Sequence, residues 1–117
     1  MRFWGSTAIF AALIILVVPP VTADAHDITA GEMSAWCTSP SGSDPRLVCD
    51  SYTKGFVDAV SADVAMSKPA GICLPPQFTA AEAEDVFVRM VRTYPKMESG
   101  TPQTVLWAAL SHQYPCP

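Results

Sequence analysis

TAAEAEDVFVRMVRTYP, residues 79–95, reads as one helix with both ends written into it. Thr79 and Glu82 form a capping box: the Thr hydroxyl serves an early backbone amide, and the Glu carboxylate returns to the amide of the cap. Ala83, Val86, Phe87, Met90, Val91 and Tyr94 recur at three- and four-residue spacing, which predicts one apolar face turned to a core. Pro95 stops the helix. Glu82, Glu84 and Asp85 fall in its first turns. Negative charge there complements the N-terminal end of the dipole, so these residues read as capping charges rather than paired acid–base carboxylates.

The same punctuation recurs on either side. Thr29 and Glu32 make another capping box, opening a helix that turns Met33 and Trp36 inward and ends at Cys37; Gly31 keeps it short. A Ser-Pro-Gly loop follows, and Asp44-Pro45 is an N-cap with proline at the first helical position. The second helix is predicted over 45–66, with Val48, Tyr52, Phe56 and Ala59 as its inward stripe and Cys49 at the edge. Gly55 interrupts that stripe, which predicts a neighbouring helix packed closely against it. Residues 67–71 close the helix, and Ile72 to Pro76 is extended because residues before proline avoid the helical region. Lys96 to Gly100 reads as a polar loop. Thr101-Pro102 caps a fourth helix with Val105, Leu106, Ala109 and Leu110 inward, and Tyr114 to Pro117 is an extended tail. The expectation is an all-α, four-helix domain. Trp36, Met90 and Trp107 should line its core, leaving Met66 and Met97 as adaptable contact residues.

The first 25 residues read differently. Arg2 precedes an unbroken apolar run over 9–18, closed by Pro19-Pro20, with small residues suited to cleavage after Ala23 or Ala25. The run is too short for a spanning helix, which needs about 20 residues. It predicts a signal peptide at 1–25, a single domain at 26–117, export to an oxidising compartment, and no membrane partner once the signal is removed. Four cysteines, Cys37, Cys49, Cys73 and Cys116, then form a disulfide framework with three possible pairings. Cys37–Cys49 and Cys73–Cys116 are favoured: the first joins adjacent helices, the second ties the tail to the segment before the third helix. On loop-closure entropy these are worth about 3 and 4 kcal/mol. No short Cys-x(2–4)-Cys pair argues for zinc, so no metal is expected.

Charge and the remaining titratable groups exclude more than they include. Counted from Asp24 onward, loss of the signal removes only Arg2 and leaves a net charge of about −5, with the acidic residues dispersed. Nucleic acid and anionic membranes both call for a basic patch, and neither is expected as a partner. His26 adjoins the cleavage site; His112 sits near the end of the fourth helix, where a cationic ring complements the dipole. With the cysteines oxidised no Cys–His dyad remains, and there is no G-x-S-x-G elbow. No catalytic residue and no cofactor are expected. Asp58 and Asp63 read as solvated positions or, for Asp58, as an acceptor for the amides of a neighbouring loop, with Lys54 a weak partner for Asp58.

Cys49-x-x-Tyr52-x-x-Gly55-x-x-Asp58, Cys73-Leu74-Pro75, Tyr94-Pro95, Ala108-x-Leu110 and Tyr114-Pro115-Cys116 occur in that order. In order and spacing, from about Thr29 to Cys116, the chain resembles the Rap/Tai family, the periplasmic immunity proteins of type VI secretion systems. The resemblance implies an all-helical, disulfide-bonded domain, often a homodimer, that binds a peptidoglycan amidase toxin and occludes its active-site cleft. Such a protector must be exported, stable and preorganised, and it needs no catalysis of its own. A polar loop on a helical frame can enter an enzyme cleft, which makes Lys96, Met97, Glu98, Ser99 and Gly100 the candidate partner-binding residues. Two other classes compete. A periplasmic acid-stress chaperone would release apolar surface when its carboxylates protonate, below about pH 4. A small hydrolase would depend on His112.

Overall fold

Four α-helices make the domain: α1 (Ala30–Cys37), α2 (Asp44–Ala65), α3 (Ala80–Thr93) and α4 (Pro102–Gln113), with a 3-10 helix, Pro95–Ser99, between the last two. They come from a computed structural model that describes residues 17–20, 27–65 and 71–117. Most of the predicted signal peptide and residues 66–70, with Met66, lie outside the described residues. Among the described residues there is no strand, only an isolated antiparallel bridge between Ile72 and Pro115. No helix among them is long and apolar enough to cross a membrane.

Three of the four helix starts are set where the sequence places them; α2 begins at Asp44 itself, one residue earlier than expected, so Asp44 lies in its first turn rather than capping it. Thr29 and Thr79 both close full capping boxes: the Thr29 amide donates to Glu32 at 2.8 Å and the Thr79 amide donates to Glu82 at 2.8 Å. Thr101 caps α4 by accepting from the Thr104 amide, with Pro102 at the first helical position. Each cap satisfies amides that a helix N-terminus otherwise leaves without partners.

The two disulfides are Cys37–Cys49 and Cys73–Cys116. The first locks the end of α1 to the first turns of α2. The second sits beside the Ile72–Pro115 bridge, where the Cys73 amide donates to the Tyr114 carbonyl at 2.9 Å. Phe78 meets Tyr114 edge to face at 5.0 Å and packs the tail down.

The core forms where α3 packs against α4 and α2, with α1 closing one end. Val105, Leu106, Ala109 and Leu110 are all buried, as are Ala83, Val86, Phe87 and Val91. Met33 is buried and Trp36 half-buried, as expected, and Met90 packs at the margin. Three expectations fail. Tyr94 is 52% exposed, because the chain leaves helical geometry there to enter the 3-10 helix. Trp107 is 40% exposed and lies over Phe56 at 6.3 Å instead of in the core.

The third concerns α2, whose buried face is Cys49, Thr53, Val57 and Val60, with Phe56 half-buried. Val48, Tyr52 and Ala59 are exposed. The helix is thus turned by one residue, about 100°, from the stripe expected. The staple sets that phase: Cys49 must face Cys37, and it is wholly buried. Gly55 follows the rotation outward, and nothing lies within 4 Å of where its side chain would be. The close helix expected at Gly55 is absent among the described residues.

Close approach occurs instead at Gly31. A Cβ there would stand 3.2 Å from Glu98 Cβ and 3.3 Å from the Glu98 carbonyl oxygen. The glycine that shortens α1 is what lets the 3-10 helix lie against it.

Candidate functional site

The segment carrying Lys96, Met97, Glu98, Ser99 and Gly100 is not the open loop expected. Pro95 starts a turn of 3-10 helix, the Met97 amide donates to the Tyr94 carbonyl at 2.9 Å, and the Gly100 amide donates to the Met97 carbonyl at 3.0 Å. Proline favours the tight φ this geometry needs. Ser99 Oγ donates to the Lys96 carbonyl at 3.2 Å, closing the turn. The segment is also fastened to its frame. The Ala30 amide donates to the Gly100 carbonyl at 2.8 Å, Met97 packs against the core, and Glu98 rests on Gly31.

What projects from this ledge is therefore fixed in place. Lys96, Glu98 and Ser99 are exposed, Met97 and Gly100 half-buried, and Tyr94 stands beside them. A groove of about 260 Å³ runs alongside, lined by Met90, Tyr94, Met97, Ala108 and His112. A second depression of about 190 Å³ shares Met90, Tyr94 and His112 and continues it along α3 and α4. The ledge supplies charge and hydrogen-bonding groups, and the groove supplies a thioether-and-aromatic wall that can adapt to a partner's apolar side chain. His112 lies in the last turn of α4, as expected, and forms the groove's rim. The sequence missed Tyr94 as a surface residue; the missed cue is Pro95, which forces its neighbour out of the helical region.

A cavity of about 470 Å³ opens between α3 and the α1–α2 corner. Glu84 forms its floor and is only 5% exposed, so it is not the solvated capping charge expected. Arg46 holds the corner together. Its guanidinium donates to Glu84 at 3.1 Å, to Asp50 at 2.9 Å and to the Cys37 carbonyl at 2.8 Å. Burial first, then the hydrogen bond and charge of Asp50, push the Glu84 carboxyl up to about 7 against the opposing pull of Arg46. Cys49, Asp50 and Glu84 bring their donor atoms within 4.8 Å of one another. That set does not suit a metal ion, because the Cys49 sulfur is bound in a disulfide and Arg46 already occupies both carboxylates. Lys54 and Asp58 pair at 3.0 Å on the exposed side of α2.

No curated protein matches the chain, and no solved structure does. The family model described as Rap1a immunity proteins matches residues 29–116, from the cap of α1 to the last cysteine. With its helices and both disulfides inside that match, the chain belongs to the Rap1a immunity protein family.

Proposed function

We propose that this protein is a periplasmic, non-catalytic immunity protein that binds a type VI-secreted peptidoglycan amidase and occludes its cleft. The family match over residues 29–116 carries this reading. Export through a cleaved signal at 1–25 belongs to it, and the two disulfides suit that compartment. The ledge of Lys96, Met97, Glu98, Ser99 and Gly100, with Tyr94 and the groove beside it, is the proposed contact surface. Its fixed geometry spares the binding reaction the entropy of ordering a loop.

The test is inhibition of amide-bond hydrolysis in purified peptidoglycan by the cognate amidase. The double variant Tyr94→Ala/Lys96→Glu is expected to bind roughly ten- to a hundredfold more weakly, as loss of an aromatic anchor and a charge reversal at an interface commonly does. Its unfolding midpoint should hardly change, since both side chains are exposed. Undiminished inhibition would place the contact surface elsewhere.

A homodimer belongs to the same proposal. Val48, Tyr52, Gly55 and Ala59 form an exposed apolar and small stripe on α2, extended by Trp107 over Phe56. An antiparallel crossing of two α2 helices at Gly55 would bring the backbones close. Lys54 and Asp58 flank the crossing and can pair across it. Gly55→Glu is expected to abolish the dimer in sedimentation equilibrium. The same change should raise monomer stability by about 0.5–1 kcal/mol, since glycine inside an exposed helix costs that much. A wild-type chain that sediments as a monomer at tens of micromolar would exclude the crossing.

A further inference from the structure

We propose that a proton held on Glu84 closes a clamp between α3 and the α1–α2 corner, so that the domain tightens on mild acidification and loosens above neutrality. The geometry is that of a shared anchor. Arg46 has one guanidinium and three claims on it: the Glu84 carboxyl of α3, the Asp50 carboxylate one turn along α2, and the Cys37 carbonyl at the end of α1. One cation balances one anion. With Glu84 ionised, two buried or half-buried carboxylates compete for Arg46 within 4.8 Å of each other. With Glu84 protonated, Asp50 keeps the ion pair and the Glu84 hydroxyl can donate to it.

The other groups facing Glu84 do not remove the conflict. Asp85, next to it on α3, adds negative charge, and Arg46 opposes it. Arg89 and Arg92 line the same cavity further along α3 and are exposed; Arg89 donates to its own helix at the Asp85 carbonyl at 3.4 Å. From α1 and its end the cavity receives only Cys37 and Thr38, neither of which titrates there.

The sign follows from linkage. The folded-state carboxyl titrates at about 7, above the ordinary value of 4.5. Between these values the folded state binds the proton and the unfolded state does not, so stability falls as pH rises through that window. The two values imply a roughly twenty-five-fold lower folding equilibrium constant at pH 8 than at pH 5.5. This is opposite in direction to an acid-triggered release of apolar surface.

The experiment is urea unfolding of the oxidised protein at pH 5.5 and pH 8.0, for the wild type, Glu84→Gln and His112→Gln. Glutamine keeps the shape and the acceptor for Arg46 but cannot ionise. The wild type and His112→Gln should both lose about tenfold or more in folding constant over this range. Glu84→Gln should be flat and should exceed the wild type at pH 8.0. A Glu84→Gln protein that keeps the wild-type slope, or loses stability equally at both pH values, overturns the proposal. If that variant does not fold, the Glu84 carboxyl is titrated directly by ¹³C NMR in the wild type. A midpoint near neutrality supports the clamp, and one in the ordinary carboxylate range overturns it.

Discussion

Replacing Cys73 and Cys116 together by alanine should cost about 4 kcal/mol. The bond spans 43 residues of sequence, so its removal releases a long loop in the unfolded chain. A single domain of this size is stable by about 5–15 kcal/mol in total, so the change takes a large share. Little else holds the tail. Beyond Gln113 it is fixed by the Tyr114 amide donating to the Leu110 carbonyl, the Ile72–Pro115 bridge, the Cys73 to Tyr114 hydrogen bond and the Phe78–Tyr114 contact. Those contacts cost more to form once the ends are free. Removing Cys37–Cys49, which spans 12 residues, should cost about 3 kcal/mol on the same basis. Urea unfolding of each pairwise variant beside the oxidised parent checks both values. A loss under about 1 kcal/mol for the longer bridge would mean that native contacts, not the staple, hold the tail.

Leu110→Ala should cost about 3 kcal/mol, within the range of 2–5 found for buried leucines cut to alanine. Leu110 is wholly buried in the face that α4 turns to the core beside Leu106 and Ala109. Its removal leaves a space that caps and two disulfides prevent the helices from closing. Trp107 makes the control. It is the larger side chain and its neighbour in the same helix, yet it is 40% exposed and rests on Phe56 at the surface. Trp107→Ala should therefore cost less than Leu110→Ala, although hydrophobicity alone would order them the other way. Thermal or urea unfolding of the two variants decides it. The reverse order would place Trp107 in the core and α4 in a different rotation.

The difference between those two residues shows where the sequence was legible. Helix starts at Thr29, Thr79 and Thr101 are local: a hydroxyl and an amide three residues on settle them without the rest of the fold, joined by a carboxylate at Glu32 and Glu82 and by Pro102 in the third. The cysteine pairing was also legible, because chain order brings Cys37 to Cys49 across one loop and Cys116 back to Cys73. The rotation of α2 was not. Val48, Tyr52 and Ala59 form as good a stripe as Cys49, Thr53 and Val57 when judged by hydropathy. The choice belongs to a covalent bond and to the partners across the core, which are not local.

The candidate site divides the same way. The segment 96–100 stands out in the sequence by its polarity between two prolines. Its rigidity does not, since that depends on the Ala30 amide and on the space left by Gly31, some 65 residues earlier in the chain. Glu84 was hidden by a correct rule applied to the wrong residue: Glu82 is the capping carboxylate, and Glu84, two positions on, points into the fold toward Arg46. Nothing short of the packing of α3 on α2 distinguishes the two.

The most direct test of the central claim is enzymatic. The cognate type VI amidase is incubated with purified peptidoglycan and increasing amounts of the oxidised protein, and released amino groups are counted. Hydrolysis is expected to fall to background near one protein chain per amidase, with recovery in the Tyr94→Ala/Lys96→Glu variant. Full hydrolysis in the presence of a tenfold excess of oxidised wild-type protein would contradict that claim.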